Sequence, residues 1–155
     1  MSFHVVLRDT FSIQAAVGKN HKGEIKKILT QVKPPCSQVN GEAQAAKLVG
    51  VLASSMQLEK FILEGESSSI ILALQNSAVR LDFLFEHIVN DTPTSFPASS
   101  LWEAKKISRN ENFCAFYVIY RATTRVFPSC ILSLSFPPSS IPLRGGKDPP
   151  PFNPP

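Results

Sequence analysis

Apolar residues run through Phe3-His4-Val5-Val6-Leu7, broken only by His4, a pattern that suits one strand of about five residues. Phe11-Ser12-Ile13-Gln14-Ala15-Ala16-Val17 then alternates apolar with small or polar residues, the two-residue period of a second strand. It leads into Gly18-Lys19-Asn20-His21-Lys22-Gly23, whose glycines and asparagine mark a turn, and Ile25 to Val32 supplies a third strand. The result is an antiparallel meander. Pro34-Pro35 ends it, because consecutive residues without N–H donors do not fit a sheet interior.

From Asn40 to Met56 the period changes to that of a helix. Ala45, Leu48, Val49, Leu52 and Met56 recur at steps of three and four, Asn40 is the expected N-cap, and Glu42 is expected in the first turn, where it favours the helix dipole. Leu58 to Leu63 reads as a strand, and its approach through a helix implies parallel pairing with an earlier strand. Ser67 to Leu74 and Leu81 to Val89 read as helices, the first capped by Ser67 or Ser68, the second broken by Thr92-Pro93 and Phe96-Pro97. Leu101 to Ile107 is the fifth candidate strand. Asn112 to about Arg125 is the last helix, with Phe113, Phe116, Tyr117 and Tyr120 at helical spacing; core packing is the simplest account of Phe113, Tyr117, Tyr120 and Trp102. The order of elements describes an α/β fold, a mixed sheet with helices on its faces.

Composition changes this picture at one end. The chain has 155 residues, 43% hydrophobic and 18% charged, the balance of one globular domain. Of 13 prolines, nine lie at or beyond Pro128, so residues 127–155 read as a Pro/Ser-rich, disordered tail on a body spanning 1–126. Sixteen Lys and Arg against 12 Asp and Glu leave a net charge of +4, a mild bias toward anionic partners that lies mostly in the body. Cys36, Cys114 and Cys130 are widely spaced, and with His4, His21 and His87 they form no zinc pattern. No apolar run approaches the ~20 residues that span a bilayer, and Met1 to Asp9 has no secretory signal pattern, so an intracellular protein of nucleus or cytoplasm, off the membrane and monomeric by default, is expected.

Glu42 and the pair in Glu64-Gly65-Glu66-Ser67 are the acids whose positions matter. Singly, each reads as a surface or turn residue. Together, an acid at the start of the long helix and one at the C-terminal edge of the next strand can converge, and converging carboxylates are the usual platform for Mg²⁺.

Three segments carry a resemblance. Asn40-Gly41-Glu42-Ala43-Gln44-Ala45-Ala46, then Phe61-Ile62-Leu63-Glu64-Gly65-Glu66-Ser67, then Ile107-Ser108-Arg109-Asn110-Glu111-Asn112-Phe113-Cys114-Ala115 resemble, in order and spacing, signature blocks of the type 1 ribonuclease H-like domain. The branch they resemble is the plant one of non-LTR retroelement reverse transcriptases, and the resemblance runs from Phe3 to about Val126. It implies a five-stranded mixed sheet in the order 3-2-1-4-5 and Mg²⁺-dependent cleavage of the RNA strand of RNA–DNA hybrids. Two ions about 4 Å apart would activate water and stabilise the leaving oxygen. It also implies an upstream leader, so the N-terminus reads as shortened.

The four catalytic positions of that family fall here on His4, Glu42, Glu66 and Phe116. Glu42 matches the family acid. Glu66 stands for an aspartate with one more methylene, and with Glu42 it forms the expected metal pair. His4 replaces the first-strand aspartate, and an imidazole is a poor bridge between Mg²⁺ ions; Phe116 can neither bind metal nor move a proton. Asp9 is the one nearby acid that could stand in for the first, from the far end of the strand. Lys19, Lys22, Lys26, Lys27, Lys105, Lys106 and Arg109 are the candidate phosphate contacts. The expectation is a ribonuclease H-like nucleic-acid-binding domain with impaired hybrid cleavage; a non-catalytic binding module and a decayed retroelement remnant are the alternatives.

Overall fold

A computed structural model describes residues 1–76, 83–124 and 131–132. Strands β1 (Ser2–Leu7), β2 (Ser12–Lys19) and β3 (Ile25–Lys33) form the antiparallel meander, with Phe3 opposite Ala16 and Ala16 opposite Leu29. The turn after β2 closes because Asn20 Oδ1 accepts from the amides of Lys22 and Glu24, each at 3.0 Å, and Gly23 takes a left-handed φ of 80°. Helix α1 (Gln38–Ser55) crosses over to β4 (Lys60–Gly65), which lies parallel to β1. Helices α2 (Ser68–Gln75) and α3 (Phe83–Asp91) lead to β5 (Leu101–Lys106), parallel to β4, and α4 (Phe113–Thr124) follows. Of the expected helix over Leu81–Val89, residues 81 and 82 lie outside the described residues.

The five strands lie in the order β3-β2-β1-β4-β5, as expected. A two-residue strand, β6 (Ile131–Leu132), adds to the free edge of β3 through Ile28↔Leu132 and Leu29↔Ile131. The sheet thus takes in two residues of the segment read as a tail. The density of prolines hides a short apolar run between Pro128 and Pro137 that is competent to pair. The rest of the Pro/Ser-rich stretch lies outside the described residues.

α1 covers one face of the sheet, with Ala45, Ala46, Val49, Leu52 and Ala53 packed over Phe3, Ala16, Leu29 and Leu63. Its small residues let the helix lie close to the strands. α4 covers the other face at β1 and β2, where Ile119 and Ala115 close over Ile13, Ala15, Val17 and Ile28. With both faces covered, β2 is buried over seven of its eight residues, and the alternation in its sequence separates two cores rather than core from solvent. Trp102 packs edge-on against Phe96, which packs edge-on against Phe61, with ring centroids 4.9 and 5.2 Å apart. Tyr120, expected in the core, is exposed. No helix among the described residues is long and apolar enough to cross a membrane.

Candidate functional site

β1 and β4 run parallel with Ser2 opposite Glu64, so His4 and Glu66, each two residues further on, reach the same level. His4 is 4% exposed and lies against Phe116 of α4, ring centroids 5.8 Å apart. Its Nδ1 stands 3.1 Å from Glu66 Oε1, but off the direction a hydrogen bond needs, so the atom has no aligned partner. Burial holds the imidazole below its ordinary value, with the Glu66 charge opposing that shift and Arg109 adding to it.

Glu66 leaves β4 between Gly65 and Ser67, whose hydroxyl caps α2 by accepting from the Ile70 amide at 3.5 Å. Both its oxygens are engaged. Oε1 accepts from Asn112 Nδ2 at 2.9 Å and Oε2 from Arg109 Nε at 3.2 Å. Asn112, fully buried at the start of α4, also donates to the Phe3 carbonyl at 2.8 Å, tying the β5–α4 loop to β1.

Glu42 reaches this cleft from α1 along a different route from the one expected. Ser37, not Asn40, caps the helix, accepting from the Asn40 amide at 3.3 Å. Ser37 follows Cys36 directly after the prolines, so the helix begins as soon as φ and N–H constraints lift, and Glu42 falls in the second turn, facing inward and 4% exposed. It is therefore a buried acid rather than a dipole-stabilising surface residue. Oε1 accepts from Gln38 Nε2 at 2.9 Å, while Oε2 is buried without a partner. Burial first, and the Glu66 charge second, push its carboxyl up to about 7.

His4, Glu42, Glu66 and Phe116 thus meet at one place, joined by Arg109 and Asn112. Asp9 lies beyond the end of β1, exposed. Asn112 and Gln38 are participants whose roles sequence reading missed; for Asn112 the available signal was a polar residue at the opening of an apolar helix.

The cleft does not fit a pair of Mg²⁺ ions. Magnesium requires hard oxygen ligands in near-octahedral array. Here a phenyl ring and an imidazole occupy two positions, and both oxygens of Glu66 already accept from protein donors. Among the described residues no three of His, Cys, Asp and Glu converge as metal ligands.

The predicted phosphate contacts divide. Lys105 and Lys106 are exposed on edge strand β5, level with Glu64 and Gly65, close to the cleft. Lys22 is exposed in the β2–β3 turn, while Lys26 pairs with Glu24 at 2.8 Å, Lys19 with Glu64 at 3.7 Å, and Lys27 Nζ reaches the Ser55 carbonyl at 3.4 Å. A cavity of about 340 Å³ opens beside Lys19, His21, Lys26 and Lys60 and includes none of the cleft residues.

No family model and no curated protein matches this chain. Solved structures do. RNase H1 from the halophilic archaeon Halobacterium salinarum superposes with a TM-score of 0.63 at 16% identity, over 75% of this chain and 89% of that one. The fold is that of ribonuclease H. The N-terminal RNase H domain of a Mycobacterium tuberculosis protein gives 0.59 at 8% identity over 79% and 96% of the two chains. LC11-RNase H1 in complex with an RNA/DNA hybrid gives 0.57 at 10% identity over 75% and 89%. At these identities what is shared is the ribonuclease H fold.

Proposed function

We propose that this chain is a ribonuclease H-fold module that binds nucleic acid, RNA–DNA hybrid in the first place, and in which metal-dependent hydrolysis of the RNA strand is impaired. The observation that carries the reading is the state of Glu66, whose carboxylate is taken up by Arg109 and Asn112, with His4 and Phe116 beside it. Binding is supported by the fold, by the cationic run at Lys105, Lys106 and Arg109, and by the hybrid held by LC11-RNase H1. The three sequence blocks around Glu42, Glu66 and Asn112 support placement in the plant retroelement branch of type 1 ribonucleases H.

Each transition-state interaction lost from such a site costs ~3 kcal/mol, about a hundredfold in rate, so losing two leaves about 10⁻⁴ of family activity. A labelled RNA–DNA hybrid incubated with Mg²⁺ tests this directly. The unmodified chain is expected to leave the hybrid intact under conditions where a His4→Asp, Glu66→Asp, Phe116→His triple variant cleaves it. Efficient metal-dependent cleavage by the unmodified chain overturns the reading.

A further inference from the structure

Arg109 meets Glu66 through Nε alone, while 74% of its side chain stays in solvent against 15% for Glu66. A guanidinium anchored at Nε keeps the end-on N–H groups of its two terminal nitrogens available for a second acceptor, and that planar fork matches two oxygens of a phosphodiester. The anchor is itself fixed. Glu66 Oε1 is held by Asn112, and Asn112, wholly buried, is pinned to the backbone of β1 at the Phe3 carbonyl. A continuous chain of hydrogen bonds therefore runs from the central strand through Asn112 and Glu66 to a cation at the cleft mouth. Lys105 and Lys106 stand exposed just before it.

We propose that Arg109, aimed by Glu66, is the phosphate-binding cation of this cleft. The carboxylate that would otherwise hold metal serves here as a positioning residue for a guanidinium, and strand binding is independent of divalent ions. This rests on the reading above that the chain binds nucleic acid. It goes further in giving Glu66 a role with a sign that simple electrostatics does not predict. Neutralising a carboxylate beside a polyanion should tighten binding by Coulomb's law. If Glu66 aims Arg109, neutralising it loosens binding instead.

Fluorescence anisotropy with a labelled RNA–DNA hybrid, using the full chain in EDTA and in Mg²⁺ over a salt series, separates these outcomes; melting curves check that each variant is folded. Arg109→Ala is expected to lose about tenfold in affinity and about one unit of salt slope, as for one phosphate contact. Arg109→Lys is expected to restore the slope without the full affinity, because an ammonium keeps the charge and lacks the fork. Glu66→Gln is expected to weaken binding about three- to fivefold although it removes a negative charge. EDTA should leave the unmodified chain within about twofold. Tighter binding by Glu66→Gln, an unchanged slope in Arg109→Ala, or loss of binding in EDTA overturns the proposal. An unmodified chain that binds hybrid but is indifferent to Arg109 removes this inference alone; one that fails to bind at low salt removes the functional reading with it.

Discussion

Two buried titratable side chains in the cleft respond to pH in opposite directions. Glu42 is raised from 4.5 to about 7, so the folded state holds a proton that the unfolded chain releases, and its contribution to stability is complete below pH 4.5 and lost as pH rises through about 7. The difference amounts to about 3 kcal/mol at alkaline pH. His4 is lowered from 6.5, so acidification below that value costs stability, because the buried ring must charge or the chain unfold. The two overlap in the wild-type profile. Glu42→Gln separates them, since it keeps the acceptor for Gln38 and removes the titration. Urea denaturation across pH should show Glu42→Gln more stable than the unmodified chain by about 2–3 kcal/mol at pH 8 and equal to it near pH 4.5. A constant difference across that range would mean that Glu42 is ionised in the fold throughout.

Among the elements, the approach of β4 to β1 decides where Glu66 sits, and Gly65 permits it. A Cβ there would lie 2.2 Å from the Phe3 ring, which is wholly buried and has nowhere to retreat. Gly65→Ala is expected to cost about 3 kcal/mol in a urea titration, and pairing it with Phe3→Leu should recover part of that loss. The strands and helices were legible in the sequence to within a few residues, because hydrophobic period, glycine turns and proline breaks act locally. Signature spacing also singled out His4, Glu42, Glu66 and Phe116, residues that the fold brings to one cleft. What the sequence did not carry was the wiring. The cap moved from Asn40 to Ser37 because prolines set where the helix can begin, and the Arg109–Glu66–Asn112 network joins residues more than forty positions apart, beyond any periodicity. Strand β6 was masked by the prolines around it.

For the whole molecule, the surplus of +4 matters less than its distribution. Lys105, Lys106 and Arg109 stand beside the cleft on the β5 side, whereas Lys22 and Lys26 flank the β2–β3 turn, and β3 lies four strand spacings from β5, about 19 Å. Charge reversal should therefore act unequally. Lys105→Glu with Lys106→Glu is expected to weaken hybrid binding tenfold or more at fixed salt, and Lys22→Glu with Lys26→Glu by less than about threefold. Equal effects in a filter-binding titration would place the nucleic acid across the whole sheet rather than at the cleft. The hydrogen bond from Asn112 to Phe3 has a consequence in time as well as in space. It spans 109 residues, so while the chain is being synthesised β1 gains its β4 neighbour first, and the lock on its Phe3 carbonyl follows only once Asn112 has emerged. Contacts of such separation fold slowly. The cleft then acquires its shape late, and a product that ends after Glu66 but before Asn112 contains Glu42 and Glu66 yet lacks the lock that holds Glu66 to β1.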